Sequence, residues 1–142
     1  MLDLFAGSGA LGLEALSRGA AHLVCVEKDP AVARVLSSNV AHCGFGPRVE
    51  IRTEPVERAL GHLSGRAPAF DLVFLDPPYD CGLAAGIPHT LIERGLLASG
   101  AWVLVEHARR EELRVPAGCV LEVERRFGES HLTLLQRAVS AA

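Results

Sequence analysis

The stretch Asp3-Leu4-Phe5-Ala6-Gly7-Ser8-Gly9-Ala10-Leu11-Gly12 decides the fold of this chain. Met1 to Phe5 is apolar and predicts a short buried strand. Gly7 to Gly12 matches G-x-G-x-x-G, and Ala10 to Ser17 has helical character, closed by Arg18-Gly19. Glycines let the backbone come close to a ligand, and the helix start offers free N–H groups. A tight strand-to-helix turn without a ligand gives the same pattern, so the neighbours must discriminate. Asp3 puts an acid on the strand before the loop. That suits a cationic group such as the ammonium of S-adenosylmethionine, and it would repel a pyrophosphate. His22 to Glu27 is a second apolar strand ending on an acid that can accept hydrogen bonds from both ribose hydroxyls. Glu27 therefore predicts adenosine-ribose binding, which NAD and S-adenosylmethionine share.

Working outward, Asp29 is an N-cap and Pro30 a first-turn residue for a helix running to about His42 and ended by Gly44. Val49 to Arg52 predicts a third strand, Pro55 to Leu63 a helix and Phe70 to Leu75 a fourth strand. Leu83 to Arg94 reads as helical, with Pro88 marking a kink or restart. Ala101 to Glu106 is the fifth strand. Val120 to Arg126 and Leu132 to Arg137 predict an antiparallel pair joined around Gly128. Alternating strands and helices imply an α/β fold, a parallel sheet with helices on both faces.

The 142 residues are expected to form a single domain, residues 1–142, large enough for a full core. The net charge of −3 argues against a broad basic face, so contact with nucleic acid would need local arginines, Arg109-Arg110 and Arg125-Arg126. Cys25, Cys43, Cys81 and Cys119 have neither metal-ligand nor redox spacing, which suits reduced thiols and a cytoplasmic location. No metal is expected. No apolar run is long enough for a membrane span, and the N-terminus resembles neither a signal nor a transit peptide. His107, at the end of the fifth strand, reads as a surface histidine or, less readily, a substrate contact.

Asp76-Pro77-Pro78-Tyr79 follows the fourth strand, at the strand ends where such sheets bind ligands. The prolines stiffen the backbone and bring no N–H of their own. Asp76 and the Pro77 carbonyl can accept both N–H bonds of an amino group, and Tyr79 can stack on a base. Acceptors that favour a charge-bearing transition state lower the barrier for a poorly nucleophilic base amine. These residues are the expected catalytic set. A dehydrogenase has no need of them, which disfavours an NAD-dependent oxidoreductase.

Asp3 to Ala20 is similar, nearly word for word, to the opening motif of the bacterial 16S ribosomal RNA guanine-N2 methyltransferases of RsmD type. Asp76 to Tyr79 matches that family's catalytic motif, and Phe127-Gly128-Glu129-Ser130-His131-Leu132 resembles its late hairpin. Val105-Glu106 also fits. The resemblance implies a Rossmann-like class I methyltransferase: a seven-stranded, mostly parallel sheet whose antiparallel last strand lies beside the fifth. It implies S-adenosylmethionine as cofactor, with Asp3, Gly7 and Gly9 on the methionine part, Glu27 on the ribose and Glu54 near the adenine amine; Ser8 and Lys28 are further expected cofactor-binding residues. It also implies methyl transfer to a guanine N2 amine in ribosomal RNA or the small ribosomal subunit, by a protein expected to be monomeric. Family members carry a helical, basic segment before the first strand; here Met1 already lies within that strand, so the segment is expected to be absent. Other readings are a DNA adenine-N6 or other amino methyltransferase, and a non-catalytic adenosine-ligand or nucleic-acid-binding module.

Overall fold

A computed structural model describes residues 1–66, 68–78 and 82–141. Seven strands form a sheet in the order β3-β2-β1-β4-β5-β7-β6. The chain divides into two compact units, Met1–His62 and Leu63–Ala142.

In the first unit, β1 (Leu2–Asp3), β2 (Leu23–Val26) and β3 (Val49–Arg52) are parallel, with Leu2 opposite Val24 and Leu23 opposite Val49. They alternate with α1 (Ala10–Ser17), α2 (Pro30–His42) and α3 (Val56–Leu63). Asp29 caps α2, its side chain accepting from the N–H of Ala31 at 2.8 Å, and Pro30 opens the helix. Leu16, Leu23, Cys25, Leu36 and Val40 form the core between the strands and helices. β1 is shorter than its apolar sequence predicts. The chain turns at Leu4–Phe5, although Leu4 is buried as fully as a strand residue. Burial made the run apolar, and the turn into the glycine loop ended the pairing.

In the second unit, β4 (Phe70–Leu75) runs parallel to β5 (Leu97–Ala108), with α4 (Leu83–Glu93) between them in sequence. Pro88 neither stops nor restarts α4; it sits buried within it. β5 begins earlier than its apolar pattern suggests. Its register against β4 shifts after the Phe70–Leu97 pair, and Gly100, at φ +75°, lies in the extra stretch. Glycine adopts that positive φ without steric cost. β6 (Cys119–Phe127) and β7 (Ser130–Arg137) pair antiparallel through Gly128-Glu129, with Gly128 at φ +59°. β7 also pairs antiparallel with β5, as the late-hairpin reading requires. Val73, Leu75, Leu91, Val103, Val105 and Leu135 are buried apolar residues of this unit's strands and helix.

Candidate active site

The glycine loop is built by three different uses of glycine. Gly7 lies at φ +55°, and a Cβ added there would meet nothing within 4 Å. The space beside it is open to a ligand. Gly9 lies at φ +92°, and a Cβ there would stand 2.5 Å from Leu36 Cδ1. Gly12 lets α1 approach β2, since a Cβ would stand 2.6 Å from Leu23 Cδ2. Gly9 is the N-cap of α1 and offers no capping side chain, which leaves the first helical N–H groups without a side-chain acceptor. Asn39 on α2 donates to the Ser8 carbonyl at 2.9 Å and holds the exposed loop tip.

Glu27 is half-buried just beyond β2 and faces this loop. Its Oε1 accepts from the Gly7 N–H at 3.2 Å and its Oε2 from the Asp29 N–H at 2.9 Å. Two backbone donors thus orient the carboxylate, and its remaining lone pairs can accept two hydroxyls. Lys28 is exposed and shares no hydrogen bond with this cluster among the described residues. Asp3 is buried on β1. Burial, then the charge of Asp3, pushes the Cys25 thiol up to about 12, so Cys25 is an inert core residue.

Glu54 is engaged elsewhere in the unit. Its carboxylate accepts from Arg52 Nε at 2.6 Å and lies 3.0 Å from His62 Nδ1, and Arg52 also reaches Glu50. Burial tends to raise its pKa, but the hydrogen bond and charge of Arg52, with His62, outweigh that and lower it. The structure does not join Glu54 to the Gly7–Glu27 cluster by any hydrogen bond among the described residues. Sequence reasoning missed Asn39 and Asp29 as supports of the site. A helical Asn and a capping Asp look like ordinary local features until the loop folds against them.

In the second unit, Asp76 and Pro77 follow β4, with Pro77 buried and Asp76 open to solvent. Leu75 stands opposite Val105, so Asp76 and Glu106 each come one residue beyond a paired position on adjacent strands. Burial of part of its carboxyl, then the Glu106 charge, raises the Asp76 pKa. The Ser130 hydroxyl donates to Glu106 Oε1 at 3.4 Å. Tyr79 lies outside the described residues, as does Cys81.

His107 is corrected by the structure: it is a buried histidine, not a surface one. The imidazole lies within hydrogen-bond distance of the Ala108 and Glu111 carbonyls and of the Thr133 hydroxyl. The strand-end position was legible, but the contact with the Glu111 carbonyl beyond the strand was not. Among the described residues no cluster of His, Cys, Asp and Glu could hold a metal, and no helix is long and apolar enough to cross a membrane.

The family described as "Conserved hypothetical protein 95" matches residues 1–136. The chain is 38% identical over 137 residues to the "Ribosomal RNA small subunit methyltransferase D" of Escherichia coli, covering 96% of this chain and 67% of that protein. The chain belongs to this family. The protein of the same name from Haemophilus influenzae is 36% identical over 129 residues, covering 89% of this chain and 66% of that one. Among solved structures, a conserved hypothetical protein of Streptococcus pyogenes superposes with a TM-score of 0.88 at 34% identity, covering 96% and 84% of the two chains. The chain spans 64–67% of the length of the curated relatives it matches in Bacillus subtilis, E. coli and H. influenzae. The class I methyltransferase fold expected of the family is the one observed, with β7 antiparallel beside β5.

Proposed function

We propose that this chain carries the catalytic domain of an S-adenosylmethionine-dependent methyltransferase acting on the exocyclic N2 amine of a guanine in 16S ribosomal RNA. The observation that carries the reading is the tie between the Gly7 N–H and the Glu27 carboxylate. It sets a carboxylate with lone pairs to spare against an open glycine turn, in a chain whose relatives are named for methylation of small-subunit RNA. The residues present fit the cofactor: open space beside Gly7, an uncapped helix start, and an oriented carboxylate with lone pairs to spare. Asp3, Gly7, Ser8 and Gly9 would hold the methionine part, Glu27 the ribose with Lys28 nearby, and Glu54 the adenine side if its Arg52 contact yields.

The bound cofactor supplies an electrophilic methyl group on a sulfonium. Asp76 and the Pro77 carbonyl accept the two amine N–H bonds and fix the nitrogen lone pair toward that methyl. A carboxylate of raised proton affinity is a stronger acceptor, and its negative charge stabilises the positive charge that grows on the amine as the bond forms. The amine proton becomes acidic only then and leaves to the Asp76 carboxylate that already accepts its hydrogen bond, so no strong base is required beforehand. Tyr79 would stack on the unpaired base. In this reading both units act as one domain, in a cytoplasmic monomer that takes the small subunit or its RNA as substrate.

The test is methyl transfer from labelled cofactor to small ribosomal subunits lacking the modification, followed by nucleoside mass spectrometry. N2-methylguanosine is expected. Label appearing in adenine, or in ribosomal protein, would overturn the assignment.

A further inference from the structure

Beside the proposed amine acceptor stands a second acid, Glu106, with no part in the transfer step assigned to Asp76. Leu75 on β4 pairs with Val105 on β5, and both side chains are buried. Asp76 and Glu106 each follow by one residue, and successive side chains of an extended chain point to opposite faces. Both acids therefore turn away from the Leu75–Val105 layer, at the same end of adjacent strands about 4.8 Å apart. The Glu106 charge reaches Asp76. Leu132 stands opposite Glu106 on β7, and Ser130, two residues before it, shares that face. The Ser130 hydroxyl donates to Glu106 Oε1 at 3.4 Å and anchors the carboxylate.

This pair of acceptors is matched by a ligand edge rich in N–H groups. Glu106 is half-buried, and among the described residues its Oε2 accepts no hydrogen bond. Among the described residues neither acid has an ion pair with an arginine, lysine or histidine. Pro77 and Pro78, which follow Asp76, bring no N–H of their own. Like charges side by side disfavour each other, and such placements occur where a ligand binds or reacts.

The bases differ at the ring position beside the amine. In guanine the N2 amine has the N1–H next to it, a donor. In adenine and cytosine the ring nitrogen next to the amine carries a lone pair. An ionised carboxylate can only accept, so one placed beside the amine attracts guanine and repels the other two. Enzymes that act on an extruded base read its Watson–Crick edge by such hydrogen bonds. An acceptor on the N1–H also pushes electron density into the ring, toward the amine nitrogen that attacks the methyl.

We propose that Glu106, anchored by Ser130, is the specificity-determining residue that accepts the guanine N1–H while Asp76 and the Pro77 carbonyl hold the N2 amine. The proposal rests on the guanine-N2 reading above. Small subunits are reconstituted with guanine or 2-aminopurine at the methylated position and offered to the full chain with labelled cofactor. 2-Aminopurine keeps the amine but carries a lone pair at N1. The wild-type chain is expected to prefer guanine about tenfold or more in kcat/KM, the scale of one charge-assisted hydrogen bond. Glu106→Gln should slow transfer to guanine and shrink the preference to about threefold or less, because an amide can donate to the N1 lone pair. 2-Aminopurine also lacks O6, but that loss is common to both proteins, so the change in preference isolates Glu106. Ser130→Ala, which leaves the Glu106 carboxylate unanchored, should narrow the preference as well, and it supplies the comparison if Glu106→Gln fails to fold. A wild-type chain indifferent to the two bases would overturn the proposal. So would either variant slowing both bases alike and keeping the wild-type preference; N2-methylguanosine formed under those conditions leaves the methyltransferase reading standing. No N2-methylguanosine from the wild-type chain overturns the guanine reading and this proposal with it.

Discussion

Gly7 donates its backbone N–H to Glu27 Oε1 at 3.2 Å, so a residue of the first turn and one beyond the second strand hold each other in place. The same carboxylate accepts from the Asp29 N–H at the entrance to α2. Glu27 is thus a brace for the loop, and its remaining lone pairs suit the proposed ribose contact.

Glu27→Ala is expected to weaken S-adenosylhomocysteine binding by about 1.5–3 kcal/mol, the scale of lost charge-assisted hydrogen bonds. Glu27→Gln should lose less, because an amide oxygen can still accept from Gly7. Calorimetric titration decides; wild-type affinity in Glu27→Ala would refute the ribose role.

Two glycines of the loop should respond differently to alanine. At Gly12 the new methyl meets Leu23, which is 1% exposed and has no room to move aside. Overpacking of that kind costs about 1–3 kcal/mol, read as a lower urea midpoint. At Gly7 nothing stands in the way, but φ is +55°, and an L side chain there costs roughly 1–2 kcal/mol. Its methyl also enters the open space, so Gly7→Ala should lose ligand affinity out of proportion to its stability. Equal affinity losses in the two variants would contradict the assignment of that space to the cofactor.

Asp29→Ala removes the side-chain cap of α2 but keeps the backbone N–H that Glu27 uses. A stability loss of about 0.5–2 kcal/mol is expected, with S-adenosylhomocysteine affinity nearly preserved. Chemical denaturation and calorimetry on one preparation would separate the two effects.

Asp76 should show a trade between stability and chemistry. Its folded pKa is raised, by burial and then by Glu106, so the ionised carboxylate is less at ease in the fold than in the unfolded chain. The stability tied to this group is present below the ordinary aspartate pKa and is lost as pH climbs through the raised value. Asp76→Asn should therefore melt higher than wild type at neutral pH, and the gap should close near about pH 3, where Asp76 is protonated in both states. Methyl transfer should be abolished in the same variant. A lower melting temperature at neutral pH would contradict burial and the Glu106 charge as the origin of the shift.

Sequence alone determined the local elements. The bounds of α1, β3 and β4 and the capped start of α2 were legible, because caps, periodicity and glycine punctuation act within a turn or two of chain. Gly12's close packing was implicit in the motif, and the Gly128 connection in the spacing of two β-rich runs. What the tertiary structure decided were partners far apart in sequence. Asn39 reaches the Ser8 carbonyl from 31 residues away, and Glu106 stands beside Asp76 only because β5 lies next to β4. Arg52 and His62 close around Glu54, which the family resemblance sets near the adenine amine. His107 is buried, with the Thr133 hydroxyl of β7 and the Glu111 carbonyl within hydrogen-bond distance. Exposure, pKa and hydrogen-bond satisfaction depend on what packs against a side chain, and that is set by strand order and register, not by the neighbouring letters of the sequence.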